Sequence, residues 1–78
     1  MKVVVIGQIQ KGDLVALNHP EEIEIELGDV AAFSTDKELR LLGYGKEMYR
    51  LSLASYKELK KELSKRGILS RLDLSKKA

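Results

Sequence analysis

Glu22-Ile23-Glu24-Ile25-Glu26-Leu27 alternates carboxylates and branched apolar residues without a break. A period of two puts Ile23, Ile25 and Leu27 on one face of a strand and Glu22, Glu24 and Glu26 on the other. Wound as a helix, the same apolar residues would sit about 200° apart and form no stripe. This segment therefore sets the chain as a sheet protein, and its flanks extend the pattern in both directions.

Upstream, Val3-Val4-Val5-Ile6 is apolar at every position, the pattern of a central strand covered on both faces. Lys11-Gly12-Asp13 is turn chemistry, and Leu14-Val15-Ala16-Leu17 reads as the return strand of a hairpin. Asn18-His19-Pro20 is expected to end that strand, because Pro20 cannot donate to a ladder. Downstream, Gly28-Asp29 turns the chain into Val30-Ala31-Ala32-Phe33-Ser34. Ile9 to Leu17 and Ile25 to Phe33 echo one another, each an apolar residue, a Gly-Asp turn and an apolar strand, so two similar hairpins are expected. Leu39-Arg40-Leu41-Leu42 resumes the apolar content, and Tyr49, Leu51 and Leu53 alternate with Arg50 and Ser52.

These patterns predict strands over about residues 2–10, 14–18, 22–27, 30–34, 39–43 and 48–53. After residue 54 the period lengthens. Ser55-Tyr56-Lys57-Glu58 has the form of a capping box, Gly67 suits the left-handed position past a helix end, and Leu63 and Ile68 are spaced to touch there. The spacing predicts a helix over about 56–66, with Tyr56, Leu59 and Leu63 on its apolar stripe. Residues 68–74 are too apolar for an idle tail and are expected as a strand or a docked helical turn, while Ser75-Lys76-Lys77-Ala78 is expected to fray. The fold class is α+β: one small domain, with a curled, mostly antiparallel sheet or barrel of five to six strands followed by one C-terminal amphipathic helix.

Composition narrows the function classes. The 78 residues contain no Cys, so disulfides, thiolate metal sites and Cys nucleophiles are out. His19 is the single His, so no pair of histidines can hold a metal, and it stands in a turn-like segment. No cofactor motif is present: Gly43-Tyr44-Gly45-Lys46 lacks both the spacing and the final Ser or Thr of a phosphate-binding P-loop. Glu22, Glu24 and Glu26 lie ~6.5–7 Å apart on one strand face, too far for tight shared coordination of a cation. An enzyme is not expected. No export signal or membrane span is expected, because the opening apolar run is only four residues long, and a cytoplasmic location follows as the default. Abundant Lys and Glu without Trp or Cys is a composition shared with heat-adapted proteins.

The net charge of +2 hides an asymmetry. Two cations and seven anions give residues 1–36 a charge of −5, while twelve cations and five anions give residues 37–78 a charge of +7. Two non-catalytic functions follow. In the first, Lys57, Lys60, Lys61, Lys65 and Arg66 of the helix, with Tyr44, Lys46 and Arg50, bind a nucleic-acid backbone, lysines meeting phosphates and the tyrosine stacking a base. In the second, the chain is an assembly module. Its acidic strand at Glu22, Glu24 and Glu26 meets the basic helix of another copy or a partner protein, and Ile68, Leu69, Leu72 and Leu74 dock in the same interface.

Overall fold

The all-apolar N-terminal run forms β1 (Lys2–Gln10), an interior strand with β2 (Asp13–Glu24) on one side and β5 (Glu47–Leu51) on the other. The structure is a computed structural model that describes residues 1–74. Beyond β5 lie β4 (Leu41–Tyr44) and β3 (Val30–Phe33), so the sheet is antiparallel with the order β2-β1-β5-β4-β3. Helix α1 (Leu53–Lys65) packs across one face, and a four-residue helix α2 (Leu69–Leu72) lies beside β3. The expected fraying of residues 75–78 falls outside the described residues.

Five strands form where six segments were expected, and the sheet is open rather than a closed barrel. The segments at 14–18 and 22–27 are one strand, β2. Its ladder with β1 is interrupted rather than ended. Val5 pairs with Glu21 and Gly7 with Ala16, so Leu17 to Pro20 bow outward opposite Ile6. Pro20 thus keeps its place in the strand by leaving the ladder, which needs no N–H from it there. β2 ends at Glu24, but Ile25 still exchanges backbone hydrogen bonds with Met1, and its side chain is fully buried in the core.

The second expected hairpin does not form. Leu27–Asp29 is a 3-10 turn, and it carries the chain from β2 at one edge of the sheet to β3 at the other. A connection this short works because the sheet curls: the Glu26 N–H donates to Tyr44 Oη at 3.0 Å, joining the end of β2 to β4. Extra residues at Ile6 in β1 and Ala31 in β3 add to the curl. The Lys11-Gly12 turn does form as expected, with φ of 53° and 85° at its two positions, as a tight two-residue hairpin turn demands.

Val3, Val5, Ile25, Phe33, Leu42 and Leu51 from the sheet meet Tyr56, Leu59 and Leu63 from α1 in one core. The expected helical stripe is thus the buried stripe. The helix stop is also as expected. Ile68 N–H donates to Leu63 O at 3.2 Å and Gly67 N–H to Ser64 O at 3.0 Å, with Gly67 at φ 71°. The start is not. α1 begins at Leu53, and its N-cap is Ser52, whose Oγ accepts from Ser55 N–H. Ser55 instead accepts the Val4 N–H at 2.8 Å, so its hydroxyl is committed to tying the helix to β1 and is unavailable for capping.

Candidate interaction surface

The two faces of the sheet differ in what covers them. Core-directed residues lie under α1. Register assigns the opposite, outer face to Lys2, Val4, Gly7 and Ile9 of β1, Leu14, Ala16, Glu22 and Glu24 of β2, Ala32 of β3, Leu41 and Gly43 of β4, and Met48 and Arg50 of β5. No helix among the described residues lies over this face. Val4, Ile9, Leu41 and Met48 are half-buried, and Leu14 is 47% exposed. An antiparallel sheet with one solvated face ordinarily alternates apolar and polar residues. Here the uncovered face is apolar along most of its width.

The glycines on this face let neighbouring groups pack closely against it. A Cβ at Gly7 would come within 3.2 Å of Val15 O and 3.4 Å of the Leu14 side chain, and one at Gly43 within 3.1 Å of Ala32 Cβ. Arg50 crosses the face and donates from Nη2 to Glu38 O at 2.8 Å and from Nε to Leu39 O at 3.3 Å, so its guanidinium holds the β3–β4 loop. That loop presents Leu39, which is 44% exposed.

The residues assigned to nucleic-acid binding do not share a surface. Lys57, Lys61, Lys65 and Arg66 are exposed on α1, on the covered side of the sheet, whereas Arg50 belongs to the outer face. Lys60 is half-buried with its Nζ 5.9 Å from the centre of the Tyr56 ring, and Lys65 pairs with Glu62 at 3.7 Å. Tyr44 packs against the core and accepts the Glu26 N–H, so its ring is not an open stacking platform. Lys46 is exposed in the β4–β5 turn.

The residues assigned to a partner interface also separate. Ile68, Leu69 and Leu72 are half-buried against the chain's own core, where α2 meets β3. Leu74 is exposed, but its N–H donates to Phe33 O at 2.7 Å, so the chain beyond α2 lies along the β3 edge. Glu22 and Glu24 are exposed on β2, and Glu26 lies just past its end. The Met1 ammonium hydrogen-bonds the Glu24 carboxylate, which holds that carboxyl below its ordinary range. Burial raises the Tyr56 hydroxyl above its ordinary value, reinforced by the Asp36 and Asp73 carboxylates; Tyr49 is raised chiefly by burial too.

Among the described residues, no group of three or more His, Cys, Asp or Glu lies close enough to hold a metal ion. A shallow cleft of about 450 Å³ between α1 and the segment after it is lined by Thr35, Lys60, Ser64 and Asp73. Thr35 holds the Asp73 carboxylate there through both its N–H and its hydroxyl. No helix among the described residues is long and apolar enough to cross a membrane. No family model, curated protein or solved structure matches the chain.

Glu22, Glu24 and Arg50 of the outer face were among the expected site residues, but its apolar part was not, although a signal for it stands in the sequence. Val3-Val4-Val5-Ile6 needs cover on both faces, and the described residues contain one helix long enough to cover a sheet face.

Proposed function

We propose that this chain is a non-catalytic assembly module that pairs with a second copy of itself through the outer face of its sheet. The observation that carries this reading is the apolar surface of Val4, Ile9, Leu14, Leu41 and Met48 with no layer above it. Its charges favour self-association. Lys2 and Arg50 balance Glu22 and Glu24 on the same face, so two copies meet without net repulsion. Sheets stacked in this way would give β1 the second cover that its sequence calls for.

Sedimentation equilibrium tests the reading. The wild-type chain is expected to be a dimer at micromolar concentration. Ile9→Glu combined with Met48→Glu would bury carboxylates in the interface and raise the dissociation constant at least ~100-fold, leaving a monomer with unchanged circular dichroism. A wild-type chain that is monomeric at every concentration would overturn it.

A second reading is phosphate-backbone binding by α1, and one observation favours it: Lys57, Lys61 and Lys65 are exposed along one side of the helix, next to Arg66. Lys61 stands four residues from both Lys57 and Lys65, a mutually repulsive arrangement that a polyanion relieves. Binding to a mixed-sequence oligonucleotide should then weaken with salt with a log–log slope of about −3, roughly one unit per lysine. A slope near zero would refute it.

A further inference from the structure

The two edges of the sheet are not equivalent. The β3 edge is occupied by the chain itself, through the Leu74-to-Phe33 hydrogen bond and the Phe33–Asp73 bridge. The β2 edge pairs with β1 on one side only. The direction of its free backbone groups follows from Met1 and Ile25. Ile25 N–H donates to Met1 O at 2.8 Å and Met1 N to Ile25 O at 2.9 Å, so these two residues exchange both bonds. In an antiparallel ladder such pairs alternate with unbonded ones. Val3–Ile23 and Val5–Glu21 are therefore the other bonded pairs, and the N–H and C=O groups of Glu22 and Glu24 point away from β1, toward the open edge.

This open stretch is short and has defined ends. At one end Leu17 to Pro20 bow out of register and Pro20 has no N–H to offer. At the other, Glu26 N–H is taken by Tyr44 Oη. Between them lie four outward backbone groups on two residues whose carboxylates project from the outer face. A strand added here would place the residues opposite Glu22 and Glu24 with their Cβ atoms about 5 Å from the glutamates' own, within side-chain reach of the carboxylates, and the residue between them beside half-buried Ile23. A second β2 strand would bring glutamate against glutamate and is disfavoured, which is how charged edges suppress self-pairing.

We propose that the β2 edge accepts an extended protein segment of alternating basic and apolar residues, adding it to the sheet as a sixth strand. Backbone hydrogen bonds to Glu22 and Glu24 give the register, and the carboxylates of Glu22 and of Glu24, the latter shared with the Met1 ammonium, select the charge. Stacking two sheets leaves their edge backbone groups open but covers the Glu22 and Glu24 carboxylates, so the proposal is tested at protein concentrations low enough for the chain to be monomeric, where it stands or falls apart from self-assembly.

The test uses two capped pentapeptides, Val-Lys-Val-Lys-Val and Val-Glu-Val-Glu-Val, followed by amide hydrogen exchange on the whole chain. The lysine peptide is expected to bind about tenfold more tightly, the effect of reversing two cross-strand charge pairs. It should slow exchange at the amides of Glu22 and Glu24, while Glu21 and Ile23 are protected with or without it. Glu22→Lys with Glu24→Lys should invert the preference between the peptides. A lysine peptide N-methylated on the face that meets the edge should fail to bind, which keeps the test decisive if the double variant does not fold. Binding without new protection at Glu22 and Glu24, undiminished binding of the methylated peptide, or no binding at millimolar concentration would each overturn the proposal.

Discussion

Replacing Phe33 with Ala should cost about 3–5 kcal/mol, which for a chain of this size is a large part of a total stability of roughly 4–12 kcal/mol. Phe33 is fully buried, and its ring stacks on Tyr56 with centroids 5.4 Å apart and planes 9° from parallel. Three elements converge on it. β3 carries it, α1 supplies Tyr56, and its own carbonyl accepts the Leu74 N–H that holds the C-terminal segment to the sheet edge. Tyr56 in turn donates to Thr35 O at 2.6 Å, so truncation of Phe33 leaves a cavity beside a ring whose hydroxyl is tethered and cannot swing in to fill it. Urea unfolding followed by circular dichroism would measure the loss. Leu14→Ala is the control, because a side chain that is 47% exposed should cost well under 1 kcal/mol in the monomer. A Phe33→Ala variant within 1 kcal/mol of wild type would contradict this account of the core.

Ser55→Ala should cost more than Ser52→Ala, and the order of the two is the informative result. Ser52 is the N-cap of α1, and loss of such a cap typically costs ~1 kcal/mol, since water can replace the side chain at an exposed helix end. Ser55 is buried, with a relative exposure of 8%, and its Oγ accepts the Val4 N–H at 2.8 Å. Deleting it leaves a partly buried donor of β1 without its acceptor, at about 1–3 kcal/mol. Thermal or urea melts of the two single variants decide the matter. A larger loss from Ser52→Ala would mean that the tie between β1 and α1 contributes little.

Ser55 also shows why part of the structure could not be read from sequence. Ser55-Tyr56-Lys57-Glu58 satisfies the capping-box pattern as well as any tetrad, but the pattern is local. What displaced it is a hydrogen bond to a residue 51 positions earlier. The same limit explains the lost hairpin. Ile25-Glu26-Leu27-Gly28-Asp29 resembles the Lys11-Gly12 turn region, yet it crosses the sheet from edge to edge instead of doubling back. The helix stop, by contrast, needs only Leu63, Gly67 and Ile68, and these lie within six residues of one another. The candidate surface divides along the same line. The basic side of α1 is visible in the spacing of Lys57, Lys61 and Lys65, but the distance between that ridge and Arg50 or Tyr44 depends on strand order.

Local periodicity and turn chemistry were enough to establish a sheet protein with one terminal helix, the apolar stripe of that helix, its stop at Gly67, and the absence of thiol chemistry. These properties depend on residues a few positions apart, where backbone sterics and side-chain period dominate. The partnership of β1 with β5, the single long edge strand β2 and the uncovered outer face came from long-range pairing. Val4 and Ile6 carry the same apolar character whether a helix, a second copy or nothing lies above them. Which face α1 covers was settled by packing between segments some fifty residues apart, and that choice left the opposite face and the β2 edge available to a partner.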